Sequence, residues 1–294
     1  MPDPALRLDN QFEKKQNGGQ LKTIAAIFAT IFFVINTGAF AQYKLEYKAT
    51  GPSALHYKAH TTLQTTESMM GQQAKVSVTS DQTISMKGTR SGNELVYDIT
   101  IDSSENIALL PNGDTSRTSS PAVGRVKQAR VRPNGEEVSS IWLDTSFAAT
   151  QAGQMKDFGS LFFRLPDGKV SVGSAWKQNK TDTVATGGGE GSIMVTTNSN
   201  YKLVSEETIE GIPCVKIHFT GKVKLKGSTA YQGIEFGISG TGNISGTALF
   251  DYTNGRVVKI DGSSVQDLTM ASTGQQKMTI PMNQKTAYDL SLVR

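Results

Sequence analysis

The amino-acid sequence predicts an all-β fold made of antiparallel strands, with at most one short helix. Two observations support this prediction. Apolar and polar side chains alternate along most of the chain, and Gly, Asn and Asp separate the alternating segments. A sheet with one face on a core and the other in water produces this pattern. One long curled sheet or half-barrel and two similar β units both fit it.

Alternation is clearest near residue 55 and in the second half of the chain. Leu55, Tyr57, Ala59, Thr61 and Leu63 fall on one predicted face. The residues between them, which include His56 and His60, fall on the other face. The same spacing recurs in Val215, Ile217, Phe219; Ile234, Phe236, Ile238; Ala248, Phe250, Tyr252; Met278, Ile280, Met282; and Tyr288, Leu290, Leu292.

Turn residues divide these strands. Asn134-Gly135 and Asn254-Gly255 predict tight hairpins, because Asn-Gly tolerates the positive φ angles of a two-residue turn. Residues 102–124 are rich in Pro, Gly, Ser and Thr and predict a long loop, and residues 187–191 predict a second loop or a wide hairpin. The best helical candidate covers residues 146–158. The predicted organisation is a 42–145 N-terminal β unit, a 146–160 linker with that helix, and a 161–294 C-terminal β unit.

Residues 1–41 have the features of a cleavable signal peptide. Lys14, Lys15 and Lys22 precede an apolar run over 24–35, and Ala39-Phe40-Ala41 supplies small residues at the cleavage site. The run is shorter than the about 20 residues that a membrane anchor needs. The segment predicts cleavage between Ala41 and Gln42 and a soluble product in the periplasm or outside the cell. No transmembrane segment is expected after cleavage.

Charge and cysteine content narrow the functional classes. The net charge is only +4, and no Lys/Arg run contains interleaved aromatics, so nucleic acid is not an expected partner. The single cysteine, Cys214, cannot form a disulfide within the chain. We expect it to be a small buried apolar residue, although an intermolecular bridge or a reactive thiol remains an alternative.

The three histidines do not predict a metal site. His56 and His60 would lie about 13 Å apart on a strand, too far to share one ion. His218 falls on the polar face of another predicted strand. The sequence contains no G-x-S-x-G and no phosphate-binding G-x-x-x-x-G-K-[ST] motif. We therefore expect no catalytic residues, no metal and no cofactor, and predict that the protein is not an enzyme.

The remaining distinctive residues suit a curled sheet with an apolar hollow. Gly237, Gly240, Gly242 and Gly246 interrupt one predicted strand, where glycine marks bends. Thioether side chains adapt to irregular apolar ligands. The candidate apolar ligand lining is Met270, Met278, Met282, Phe236 and Phe250, whereas Trp142 and Trp176 are expected in the core.

Residues 165–176 read LPDGKVSVGSAW, which fits an LP-x-x-x-V-x-V-G-x-x-W pattern from Leu165 to Trp176. This string resembles one in secreted β-rich bacterial proteins of a domain-of-unknown-function family. The GIPCVKI segment at 211–217 and the FDYTNG segment at 250–255 look similar to the same group. The resemblance implies an all-β fold but no known chemistry, so it carries over no site residues. More distantly, the chain is similar in architecture to periplasmic carriers of lipoproteins, by analogy of fold alone.

Together these features predict an exported cell-envelope protein that holds a lipid or other apolar ligand in the hollow of a curled sheet. The alternative is a structural or protein-interaction module of the envelope that has no small ligand. In either case the expected partners are an apolar small molecule or an envelope protein.

Overall fold

The structure, a computed structural model, describes residues 41–69, 72–150, 161–185, 191–231, 234–272 and 278–293. The predicted signal peptide lies outside these residues except for Ala41. The second part of the predicted helix, from residue 151, and most of the predicted 187–191 loop also lie outside them.

Strands dominate the described chain. The first half contains β1 (Tyr43–Lys44), β2 (Leu55–Met69), β3 (Gln72–Ser91), β4 (Glu94–Leu109), β5 (Thr115–Thr118), β6 (Val126–Val131), β7 (Glu137–Trp142) and α1 (Thr145–Thr150). The second half contains β8 (Lys169–Val170), β9 (Ala175–Ala185), β10 (Ser192–Ile209), β11 (Ile212–Tyr231), β12 (Ile234–Asp251), β13 (Arg256–Ser272) and β14 (Thr279–Val293). The all-β prediction, with one short helix, is confirmed.

One antiparallel sheet holds all of these strands except β1 and β8, which pair with each other. Its order is β7-β6-β4-β3-β2-β14-β13-β12-β11-β10-β9, with β5 paired to β4. Strands β2 and β14 join the two halves of the chain, for example where Ala59 pairs with Leu290. The chain from Ala41 onward is one compact unit, in which the two predicted β units are adjacent parts of one sheet.

Aromatic contacts show how strongly this sheet curls. Ring contacts of 4.8, 5.3 and 5.3 Å lead from Tyr97 through Phe162 and Tyr47 to Phe250. Tyr97 lies on β4 and Phe250 on β12, and five strand-to-strand steps separate these strands. A flat sheet would place them about 24 Å apart. The sheet therefore bends its two halves toward each other around these rings.

The two faces of the curled sheet differ as the alternation predicts. The inner face, which carries the buried Tyr57, faces the core, and the outer face carries the exposed His56, Lys58 and His60. We call the end of the sheet that contains Tyr57 the base and the opposite end of the long strands the distal end.

Two segments outside the large sheet cover its inner face at the base. Residues 43–50 supply Tyr47, which packs edge-on against Phe162 and Phe250. Residues 161–165 supply Phe162 and the fully buried Leu165. Other buried members of this core are Leu45, Ile84, Leu95, Ile99, Ile101, Val131, Leu203, Val215, Ile217, Ala248 and Ile260. Trp142 and Trp176 pack against it, so their predicted core role is confirmed.

The predicted Asn-Gly turns hold these covering segments in place. Gly135 and Gly255 have φ angles of 83° and 66°, in the region that favours glycine. The preceding asparagines do not have positive φ, and the loops cover 132–136 and 252–255, so the prediction of two-residue turns was wrong. Lys48 N donates to Gly255 O at 3.1 Å, and Leu165 N donates to Asn134 O at 2.8 Å. A Cβ on Gly255 would lie 2.5 Å from Glu46 O, so only glycine allows this close approach.

The predicted loop over 102–124 was wrong in part, since β4 continues to Leu109 and β5 occupies Thr115–Thr118. A register shift in the β3–β4 ladder leaves Asp102 without a directly paired residue. This bulge changes the phase of the alternation, so the strand beyond it no longer matches the pattern before it. Helix α1 begins after Asp144, whose Oδ1 accepts from Phe147 N at 3.0 Å, and it includes the described part, 146–150, of the predicted helix.

Close packing on the inner face predicts the effect of Gly246→Val. A Cβ at Gly246 would lie 2.3 Å from Asp261 O and 2.5 Å from Phe219 Cζ. We expect the free energy of unfolding, measured by urea titration, to fall by about 1–3 kcal/mol because of overpacking. Thr241→Val, at an exposed position of the same strand, is the control and should change it little. Equal midpoints for the two variants would contradict the inner-face assignment.

Candidate functional site

Toward the distal end, the inner face carries a second group of apolar side chains beyond the core. We call it the distal inner face, and cross-strand register brings its members together, as in the Ile238, Met270 and Ile280 row. Phe236 and Leu268 are buried, with 5% and 9% of their surface exposed, and the other members are partly exposed. The distal inner face consists of Ile193, Val195, Leu225, Phe236, Ile238, Leu268, Met270, Met278, Ile280 and Met282.

The structure brings four of the five sequence-predicted lining residues to this face. Met270, Met278, Met282 and Phe236 lie on its neighbouring strands or beside them. Phe250 lies at the base instead, fully buried, with its ring 5.3 Å from that of Tyr47. Phe250 is therefore part of the filled core and is not grouped with the other four.

Sequence reasoning missed the aliphatic members of the distal inner face. Leu268 pairs with Met282, and Leu225 pairs with Gly240 opposite it. Leu268 has the same alternation phase as Met270 on β13, and Leu225 has the same phase as Phe219 and Val223 on β11. The available signal was the strand register, which becomes visible only when β11 to β14 are aligned through their hairpins.

Polar side chains separate the distal inner face from the core. Gln266 and Gln284 pair across β13 and β14, and Ser264 and Thr286 pair one row closer to the base. All four are partly exposed on the inner face. On β9, the strand at the edge of the sheet, Lys180 and Asp182 form an ion pair of 2.9 Å. On β13 and β14 the inner surface therefore runs from an apolar core through a polar band to an apolar distal region, whereas on β11 and β12 Val223 and Ile244 keep the same rows apolar.

The base, in contrast, leaves almost no room. The space between Tyr47, Tyr57, Tyr97 and Leu161 is about 10 Å³, close to the smallest volume that holds one water. Tyr57 donates its hydroxyl hydrogen to Val257 O at 3.0 Å, and Tyr97 donates to Lys48 O at 2.8 Å. Burial raises the pKa of both phenols, so they stay neutral donors. These tyrosines close the base and do not form a ligand site.

The histidines lie on the outer face, exposed, as predicted. His60 Nδ1 is 2.7 Å from Asp81 Oδ1, and His56 Nδ1 is 2.9 Å from Ser85 Oγ. Ser85 donates its hydroxyl hydrogen to Asp102, so this hydrogen points away from the imidazole that would have to remove it. Among the described residues, His, Cys, Asp and Glu side chains form no group of three that could hold a metal ion.

Cys214 lies on β11 with no exposed surface, which confirms the expectation of a buried thiol. Burial, with a smaller contribution from the neighbouring Asp251 carboxylate, raises the pKa of Cys214 to about 11. The thiol is therefore protonated at neutral pH and weakly nucleophilic.

Comparison with known proteins identifies no family. No protein-family model and no curated protein matches this chain. Pseudomonas aeruginosa OccK2 (OpdF) matches 86% of this chain and 100% of its own, with 8% identity and a TM-score of 0.28. An outer membrane channel from Pseudomonas putida F1 matches 88% and 100%, with 7% identity and a TM-score of 0.25.

A DUF1329 family protein from Desulfovibrio piger matches 82% of this chain and 85% of its own, with 9% identity and a TM-score of 0.11. These scores are too low for any of the three proteins to support a functional argument. Within the part of the chain that the structure describes, no helix has the length and apolar character needed to cross a membrane.

The burial of Cys214 predicts its chemical behaviour. Iodoacetamide at pH 8 should leave the folded protein unlabelled, because the thiol is inaccessible and its raised pKa keeps it protonated. Addition of urea should give one label per chain, measured by intact mass spectrometry. Rapid labelling of the native protein would contradict the buried position.

Proposed function

We propose that this chain is an exported cell-envelope protein that binds a lipid or another apolar molecule, without catalysis, in the hollow of its curled sheet. The observation that carries the proposal is the partly exposed distal inner face. Its strands shield these side chains on the outer side, but no described segment covers them as residues 43–50 and 161–165 cover the base. An apolar ligand would complete their burial.

Hydrophobic burial supplies the binding energy in this proposal. Removing apolar surface from water contributes about 25 cal/mol per Å². Met270, Met278 and Met282 have flexible thioether chains, which fit ligands of irregular shape. A binding site of this kind favours acyl chains over ligands defined by many directed hydrogen bonds.

The polar band supports an amphiphilic ligand in particular. Gln266 and Gln284 offer amide donors and acceptors one row closer to the base than the pair Leu268 and Met282. A ligand with its apolar part on the distal inner face would place a polar group near these amides. The closed base limits how far toward the core any ligand could extend.

Export in this proposal rests on the sequence of residues 1–41. We expect the protein recovered from a bacterial periplasm to begin at Gln42, because Ala39 and Ala41 supply the small residues that signal peptidase reads. Intact mass spectrometry measures this end directly. Ala41→Arg is the control and should block processing, whereas retention of residues 1–41 in the wild-type protein would contradict export by this route.

Native mass spectrometry tests ligand binding. The mature protein, purified gently from its own envelope fraction, should carry a stoichiometric extra mass that organic extraction releases as a lipid. Met270→Asn should lower its occupancy about tenfold or more, since it places a polar amide against apolar surface. Val293→Asn, at an exposed outer-face position of the neighbouring strand β14, is the control. A clean ligand-free mass for the wild-type protein would contradict the proposal.

One observation favours the alternative of a protein-interaction module. Among the described strands, β7 is at the edge of the sheet and pairs with β6 alone, and Val138, Ile141 and Leu143 at or beside it are 46%, 57% and 49% exposed. Exposed apolar residues beside an open strand edge suit a partner that adds a strand. If the ligand-free mass is found, cross-linking from β7 in intact envelopes becomes the decisive measurement.

A further inference from the structure

The outer face of β9 to β11 carries an unusual concentration of unpaired positive charge. Its five exposed lysines form no ion pair with any other residue that the structure describes. Lys222, Lys224 and Lys226 follow one another on β11, and Lys202 and Lys177 lie on the two neighbouring strands. We call these five lysines the basic face.

Carboxylates are absent from the described outer face around these lysines. From the row of Lys202, His218 and Thr247 to the row of Met194, Lys226 and Ser239, the outer positions of β9 to β12 carry only Lys, His, Asn, Thr, Ser, Met and Ala. The outer face of the adjoining strands differs, because register aligns Asp261, Asp289, Asp81 and Glu105 in one row across it. The same strands also carry the exposed Lys58, Lys75 and Lys285, so the charge there is mixed, whereas on β9 to β12 it has one sign.

A groove lies within the same region of the outer face. Its volume is about 370 Å³, and most of its side chains are hydroxyls and amides on β10 to β13. Its outer-face lining is Asn200, Thr220, Lys222, Asn243, Ser245, Ser263 and Val265. Ammonium, amide and hydroxyl groups together suit a phosphate that carries further hydroxyls.

The distal end of the basic face also offers an apolar contact. Met194 pairs with Lys226 across β10 and β11, and 46% of its surface is exposed. A thioether beside an ammonium matches the boundary between lipid headgroups and acyl chains, where apolar side chains insert beside basic ones.

We propose that the basic face docks on a membrane that contains anionic phospholipids. Lysines on three strands form a two-dimensional patch, which a headgroup layer engages more completely than one linear polymer does. The described outer face of β9 to β12 lacks aromatic side chains, which would stack the bases of single-stranded nucleic acid. Each lysine near an anionic surface raises the affinity about fivefold.

Docking in this way has a geometric consequence for the distal inner face. Lys226 and Ile193 lie one residue apart in register, on opposite faces of the same part of the sheet. Contact through Lys226 and Met194 therefore brings the distal end close to the bilayer. The docking proposal stands on the outer face alone and does not require a ligand in the hollow.

Vesicle sedimentation with the mature protein tests the proposal. In about 0.1 M salt the wild-type protein should bind vesicles of phosphatidylcholine with one third phosphatidylglycerol, and about 1 M salt should release it because charges are then screened. The triple variant Lys222→Gln, Lys224→Gln, Lys226→Gln should bind about 100-fold more weakly.

The matched control, Lys58→Gln, Lys75→Gln, Lys285→Gln, makes the same charge change at exposed positions of β2, β3 and β14 and should bind like the wild-type protein.

Three outcomes would overturn the proposal. Equal losses in the two triple variants would show that net charge, and not this face, drives binding. Equal binding to pure phosphatidylcholine would remove the role of anionic lipid. Binding to soluble inorganic polyphosphate without binding to vesicles would assign the face to a polymer. Because Met270→Asn should leave vesicle binding unchanged, failure of docking and failure of the ligand proposal give distinguishable results.

Discussion

The packing of Tyr47 between the two halves of the sheet is the contact on which the rest of the structure depends. A single sheet of long antiparallel strands has two large faces, and one of them is apolar along much of its length. Tyr47 and Phe162 connect β4 to β12 through ring contacts, which hold the sheet in its curled form. The hydroxyl of Tyr47 also accepts from Phe163 N at 3.1 Å, so the two covering segments fix each other.

Because the covering segments reach only the base, the inner face is divided into parts with different properties. At the base, aromatic and aliphatic side chains fill the interior and leave a space of only about 10 Å³. At the distal end, side chains of the same kind stay partly exposed. Glycines such as Gly240, where a Cβ would lie 2.4 Å from Leu268 Cδ2, let neighbouring strands pack closely there.

The sequence was sufficient to predict what depends on local pattern, and insufficient for what depends on long-range register. Alternation predicted the strands and their polar faces. Asn254-Gly255 predicted the hairpin between β12 and β13, although its loop has the four residues 252–255 instead of two. The bulge at Asp102 concealed the second part of β4, because it breaks the period that identifies a strand. Phe236 and Phe250 have the same alternation phase on β12, and only the position of Tyr47 shows that one belongs to the core and the other to the distal inner face.

The pairing of β2 with β14 has a consequence for how the molecule reaches its folded state. Strands β9 to β14 each pair with a neighbour in sequence, and so do β2 to β4, so both sets can form from local hairpins. The contact between Ala59 and Leu290 joins them only after the last strand is available. Non-local pairings of this kind form slowly, since loop closure precedes the contacts that stabilise it. The two halves of the sheet can therefore close around Tyr47 only once β14 has joined β2.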